Sequence, residues 1–128
     1  MRLLLDTHLL LWAAYEPEKL APALRNELTD PSTELEFSSA SIWEIAIKVG
    51  LRRPDFVVDP RVLRTGLIDN GYRELPVTSA HAAAVVDLPP HHSDPFDRML
   101  VAQSRLEGIV LLTRDRLVAQ YGPPTRLV

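Results

Sequence analysis

Five acids in this chain stand where acids can do chemistry. Asp6 closes the apolar run "RLLLD". Glu44 lies early in the apolar-periodic run "SASIWEIAIKVG". Asp94 and Asp97 bracket a proline and a phenylalanine in "HHSDPFDRMLVAQS", and Asp115 follows "IVLLT" by two residues. Each has a local explanation. Asp6 or Thr7 can cap the helix that follows, and Ser41 with Glu44 fits a capping box. Asp94 suits an N-cap with Pro95 at the first helical position and Asp97 beside the positive helix end. Asp115 can cap a last helix. Brought together, however, three or four carboxylates repel one another unless a cation neutralises them. Oxygen ligands with retained waters suit Mg²⁺ or Mn²⁺. Such an ion can polarise a phosphoryl oxygen, activate a water and steady a leaving oxygen. The chemistry implied by a converged cluster is phosphodiester hydrolysis.

Whether the acids converge depends on the elements that carry them. "RLLLD", "ELEFSS", "YRELPVT" and "IVLLT" read as short strands, with "TRLV" a possible last edge strand. Between them lie helical stretches: "THLLLWAAYEP", "PEKLAPALRNELTDP" with Leu20, Leu24 and Leu28 at a four-residue spacing, and "SASIWEIAIKVG" ending at Gly50. Further on come "PRVLRTGLIDNG", "SAHAAAVVDLPP" opened by Ser79, "DPFDRMLVAQSRLEG" capped by Gly108, and "RDRLVAQYG". "PDFVVDP" reads as irregular. Strands alternating with helices predict an α/β fold: a central, mainly parallel sheet of four to five strands, covered on both faces in a three-layer α/β/α sandwich. In such folds ligands bind beyond the carboxyl ends of the strands. Asp6 and Asp115 follow strands, and Glu44 and Asp97 lie near helix starts, so that edge is where they would meet.

Composition narrows the classes. A chain of 128 residues without repeats or linkers suits a single domain spanning 1–128. With no cysteine, disulfides, thiolate chemistry and cysteine-based zinc sites are excluded. The net charge of −3 gives no bulk basic field for nucleic acid, so a local patch or a bound metal would have to supply positive charge. Asp6 and His8 interrupt the apolar N-terminus, which argues against a signal peptide. No stretch approaches a membrane span. A soluble cytoplasmic protein is expected.

Taken together, "LLLDTHLLLW", "SSASIWEIAIKVG", "HHSDPFDRMLVAQS" and "LLTRD" resemble, in order and spacing, the PIN-domain proteins, and most of all the VapC toxins of type II toxin–antitoxin modules. The resemblance covers nearly the whole chain. It implies a Mg²⁺-dependent endoribonuclease, with Mn²⁺ as the alternative ion, acting on RNA. It also implies neutralisation by a cognate VapB-type antitoxin and assembly as a homodimer or a toxin–antitoxin hetero-oligomer. Carried over by motif, the catalytic and metal-binding acids are Asp6, Glu44, Asp97 and Asp115. Thr113 is a hydroxyl neighbour, and Asp94 is a cap or outer partner before it is a ligand. Thr7 belongs to the same outer group. In the implied mechanism Asp6 and Asp97 bind the metal most directly, and Glu44 orients or deprotonates the attacking water.

Other residues carry less specific signals. Arg98 and Arg114 flank the acids and suit phosphate contact, whereas the pairs Arg52–Arg53, Arg61–Arg64 and Arg114–Arg116 read by default as solvated surface. The histidines His8, His81, His91 and His92 form no HxxxH pair. His8 is placed to touch substrate or the outer part of the site. His91 and His92 read as solvated or as shaping its mouth. Trp12 and Trp43 read as core or interface rather than base-stacking residues. An acid after a first strand also suits phosphatases with an aspartyl nucleophile, but His8 occupies the third position of "DTH" where those enzymes need a second acid. A metal-dependent DNA nuclease and a non-catalytic interaction module are the remaining alternatives.

Overall fold

The computed structural model describes all residues except Arg53 and Asp55, so the Arg52–Arg53 reading lies in part outside the described residues. Five strands, β1 (Arg2–Leu5), β2 (Glu34–Ser38), β3 (Arg73–Leu75), β4 (Val110–Thr113) and β5 (Thr125–Leu127), form one sheet in the order β3-β2-β1-β4-β5. Every neighbouring pair is parallel, so the edge strand β5 also follows the common direction. From β1 the chain builds outward through β2 to β3, then crosses to the other side of β1 to lay down β4 and β5. The order therefore reverses between β1 and β4. That is the switch point at which an open parallel sheet opens a crevice at its carboxyl edge.

The adjacent strands β1 (RLLL) and β4 (VLLT) are near-continuous apolar runs because both sheet faces are covered there. Side chains alternate between the faces. Leu3, Leu5, Phe37 and Leu112 join one core with Leu9, Leu10, Leu24, Ile45, Leu63 and Leu67. These come from α1 (Thr7–Tyr15), α2 (Pro22–Thr29), α3 (Ser39–Gly50) and α4 (Pro60–Asp69). Leu4, Leu75 and Leu111 point the other way, against Leu100, Val101, Ala102 and Val118. Those belong to α6 (Pro95–Glu107) and α7 (Arg116–Ala119), with α5 (Ser79–Ala84) alongside. The three-layer expectation holds.

Three local expectations need correction. The stretch 17–31 is not one helix: a single 3₁₀ turn at Pro17–Lys19 ends at an extended Leu20, and Pro22 starts α2 afresh at its first turn. Proline lacks an N–H and clashes with a preceding helical turn, so the regular leucine spacing could not carry a helix through it. The N-cap of α3 is Ser38, whose hydroxyl accepts the Ala40 amide, and not Ser41. Gly50 is the last residue of α3 rather than its cap; α5 does open at Ser79, with Thr78 as its N-cap. Gly108 does close α6 in the left-handed conformation (φ 67°), which a Cβ would disfavour.

Candidate active site

Asp6 follows the last residue of β1 and caps α1: its Oδ1 accepts the Leu9 amide at 2.9 Å. Its Oδ2 accepts the hydroxyl of Thr113, the last residue of β4, at 2.7 Å. Thr113 in turn accepts the backbone N–H of Asp115 at 3.0 Å. One buried hydroxyl thus couples the two central strand ends. Burial drives the Asp6 carboxyl above the ordinary range, opposed by the Leu9 amide and the Thr113 hydroxyl.

Glu44 is buried one turn into α3. Its Oε1 lies 2.8 Å from Thr7 Oγ1, and its Oε2 accepts Lys48 Nζ at 2.8 Å. Ser41 Oγ stands 2.9 Å from the same Thr7 hydroxyl. A carboxylate only accepts, so Thr7 donates to Glu44 and Ser41 donates to Thr7. This explains why Ser41 is buried inward and does not cap.

Asp94 is the N-cap of α6: its Oδ1 accepts the amides of Phe96 (2.8 Å) and Asp97 (3.1 Å). The Asp97 side chain leaves the helix toward His92, with 3.2 Å between Oδ2 and Nε2. The same nitrogen lies 3.0 Å from Asp115 Oδ2, while Asp115 Oδ1 caps α7 by accepting the Leu117 amide. Asp97, His92 and Asp115 present ligand-type atoms that all lie within 4.8 Å of one another. The Asp97 carboxyl is pushed up to about 7 by burial first, then by the negative charges of Asp94, Glu44 and Asp6, with His92 opposing. At Asp115, burial is outweighed by the Leu117 amide and His92, and the carboxyl sits below its ordinary range.

Of the four expected acids, Asp97 and Asp115 stand together around His92, and Asp6 and Glu44 lie close enough to the Asp97 carboxyl for their charges to raise it. Asp94 is occupied with its own helix. The two arginines part company. Arg98 Nη1 and Nη2 donate to the carbonyls of Val85, Leu88, Pro89 and His92 and to the Tyr121 hydroxyl, which ties the loop before α6 together and corrects the reading of Arg98 as a phosphate contact. Arg114 instead lays its guanidinium over the Trp12 ring, 5.1 Å from the centroid. His8 meets the same indole edge-on at 4.7 Å. Trp12 packs against the core, but Trp43 is 63% exposed and touches Phe96 edge-on, so a core role for Trp43 is ruled out. His92, expected to be solvated or to shape the site's mouth, is instead largely buried between Asp97 and Asp115. The signal available for it was a histidine two residues before an Asp-Pro helix cap, close enough for its ring to reach the cap's own amide.

The donor set fits a hard divalent cation. Carboxylate oxygens dominate it, and the negative charges of Asp94, Glu44 and Asp6 add to burial in raising Asp97. Asp6, Asp97, Asp115 and Glu44 are the residues that would hold such an ion.

A parallel five-stranded α/β/α sandwich with acids at the β1/β4 switch defines the class, and the sequence profile of the PIN domain matches residues 3–122. The chain belongs to the PIN domain family. Among characterised proteins it is similar to Ribonuclease VapC22 of Mycobacterium tuberculosis, 28% identical over 122 residues that cover 94% of this chain and 92% of the relative. Among solved structures it resembles a chain of VapBC2 from Rickettsia felis bound to a promoter DNA fragment, with TM-score 0.70, 13% identity, and 100% and 98% of the two chains covered. It also resembles a chain of DNA-bound VapBC from Salmonella typhimurium, with TM-score 0.67, 14% identity, and 100% and 97% covered. At such identities these two structures speak for the fold. Among the described residues no helix is long and apolar enough to cross a membrane.

Proposed function

We propose that this chain is a divalent-metal-dependent endoribonuclease and the toxin of a type II toxin–antitoxin module, held inactive by a VapB-type antitoxin and acting in the cytoplasm. The observation that carries the reading is the Asp97 carboxyl, which stands with Asp115 around His92 and is raised by the charges of Asp6 and Glu44 from two other segments. The kinship with a protein named as a VapC ribonuclease supports RNA as substrate, and the likeness to chains of VapBC complexes supports an antitoxin partner.

Bound Mg²⁺ or Mn²⁺ would supply charge stabilisation for the scissile phosphate and lower the pKa of a water. The chain's own residues do the rest. Asp6 and Asp97 fix the position of the reacting centre, with Asp6 held at both oxygens by Leu9 and Thr113. Glu44, held by Thr7 and Lys48, orients the attacking water and accepts its proton. Arg114, at the rim beside Asp115, offers a guanidinium to the flanking phosphate.

The test is cleavage of RNA and DNA side by side by the purified protein, with Mg²⁺, with Mn²⁺ and with EDTA, and with Asp97→Asn as control. RNA cleavage that EDTA and Asp97→Asn each abolish is expected. Cleavage that persists in folded Asp97→Asn sinks the site assignment, and DNA cleavage with RNA spared sinks the substrate.

A further inference from the structure

We propose that His92 is the positioning residue of this site: its Nε2–H, donated to Asp115 and facing Asp97, sets the spacing of the two carboxylates from outside the metal, and it is not itself a ligand. The inference rests on the metal-site reading above and adds a residue to it.

The ring is fixed on every side. Nδ1 lies 3.1 Å from the backbone N of Asp94, which can only donate. Nε2 faces Asp115 Oδ2 at 3.0 Å and Asp97 Oδ2 at 3.2 Å. The His92 amide donates to the Tyr121 hydroxyl at 3.1 Å, and its carbonyl accepts from Arg98. Turning the ring over would put carbon atoms against the Asp94 amide and against both acids, so these contacts fix the orientation.

The tautomer follows. A neutral imidazole has one N–H and one lone pair. The lone pair at Nδ1 is taken by the Asp94 amide, so the proton is on Nε2, donated to Asp115 Oδ2, with Asp97 Oδ2 facing the same nitrogen at 3.2 Å. To bind a metal through Nε2, that proton would have to move to Nδ1, where it would meet the Asp94 N–H head-on. The proximity of His92, Asp97 and Asp115 therefore describes two acids and the donor that spaces them, not three ligands.

The spacing has a purpose in the sequence. Asp97 is fixed by α6 and Asp115 by α7, two elements joined through the buried strand β4. His92, in the loop that Arg98 and Tyr121 tie down, spans the gap between them. Outer donors of this kind orient ligands, and their loss typically lowers metal affinity by about 10–100-fold.

The experiment compares wild type, His92→Gln, His92→Leu and Asp97→Asn as full-length proteins, with Mn²⁺ as the probe. Glutamine can return an N–H donor near the Nε2 position; leucine cannot. Weakening of Mn²⁺ binding by about 10–100-fold in His92→Leu, with most of it recovered in His92→Gln, is expected. Pulsed electron paramagnetic resonance of the wild-type Mn²⁺ complex should show no directly coordinated imidazole nitrogen. In metal-free protein at pH 8, ¹⁵N NMR should place the His92 proton on Nε2. Unchanged Mn²⁺ affinity in His92→Leu, a directly coordinated nitrogen, or a proton on Nδ1 overturns the proposal. If Asp97→Asn binds Mn²⁺ as wild type does, the metal-site reading fails, and the NMR result alone then decides how His92 holds the acids.

Discussion

Asp94 accepts the backbone N–H of Asp97 at 3.1 Å, while the Asp97 carboxylate turns away to His92 at 3.2 Å. Two acids three residues apart thus divide between helix and site. Asp94→Asn keeps a capping oxygen and should cost under about 1 kcal/mol, whereas Asp94→Ala should cost about 0.5–2 kcal/mol, read by thermal or urea unfolding. Metal binding should survive Asp94→Asn at neutral pH and be lost in Asp97→Asn. Loss in both would make Asp94 a ligand.

The raised carboxyl of Asp97 gives apo stability a direction. Its folded pKa is about 7, against an ordinary 3.8. Between these values the folded state holds a proton that the unfolded chain releases. The stability Asp97 contributes is complete below the ordinary value and is lost as pH rises through about 7. Asp97→Asn removes the crowded charge, so the metal-free variant should melt above wild type at pH 8, with the gap shrinking as pH falls and closing toward the ordinary carboxyl value of 3.8. A variant that melts lower at pH 8 would show that the carboxylate is stabilised there, not strained.

The same proton competes with the metal. Below pH 7 one proton must leave Asp97 for each ion bound, and apparent affinity should fall by about tenfold per pH unit. Asp94→Asn removes a repelling charge, the second-largest cause of the upward shift, and should move this onset to lower pH. Mn²⁺ titrations between pH 5.5 and 8 measure both, and a flat profile would exclude Asp97 as the titrating ligand.

Much of this arrangement was legible in the sequence, and the limits have physical causes. Short apolar runs with an acid at or just beyond their ends located β1 and β4, and the strand–helix alternation located the parallel sheet. The reversal of strand order, which places Asp6 beside Asp115, is a long-range property that no local pattern carries. The cap of α3 was ambiguous by three residues because several serines compete for the role; burial by tertiary contacts removed Ser41 from it. Arg98 and Arg114 looked alike beside their acids. What separates them is the ring of loop carbonyls and the Tyr121 hydroxyl that only the fold assembles around one of them.

That separation predicts opposite phenotypes. Arg98 donates to four carbonyls and one hydroxyl, and a lysine cannot reproduce the planar fork. Arg98→Lys should lower stability by about 1–3 kcal/mol, since hydrogen bonds to charged groups are lost and some carbonyls are left unpaired. Its effect on RNA should come only through the loosened loop, and should vanish at temperatures where the variant is fully folded. Arg114 lies over Trp12 on exposed surface and, among the described residues, meets no comparable set of carbonyls. Arg114→Ala should leave the melting temperature nearly unchanged, weaken RNA binding, and reduce its salt dependence by about one phosphate contact. Binding isotherms at several salt concentrations, paired with melting curves for both variants, separate the two roles. A reduced salt slope in fully folded Arg98→Lys would return Arg98 to the substrate, and an unchanged slope in Arg114→Ala would leave its guanidinium to the indole alone.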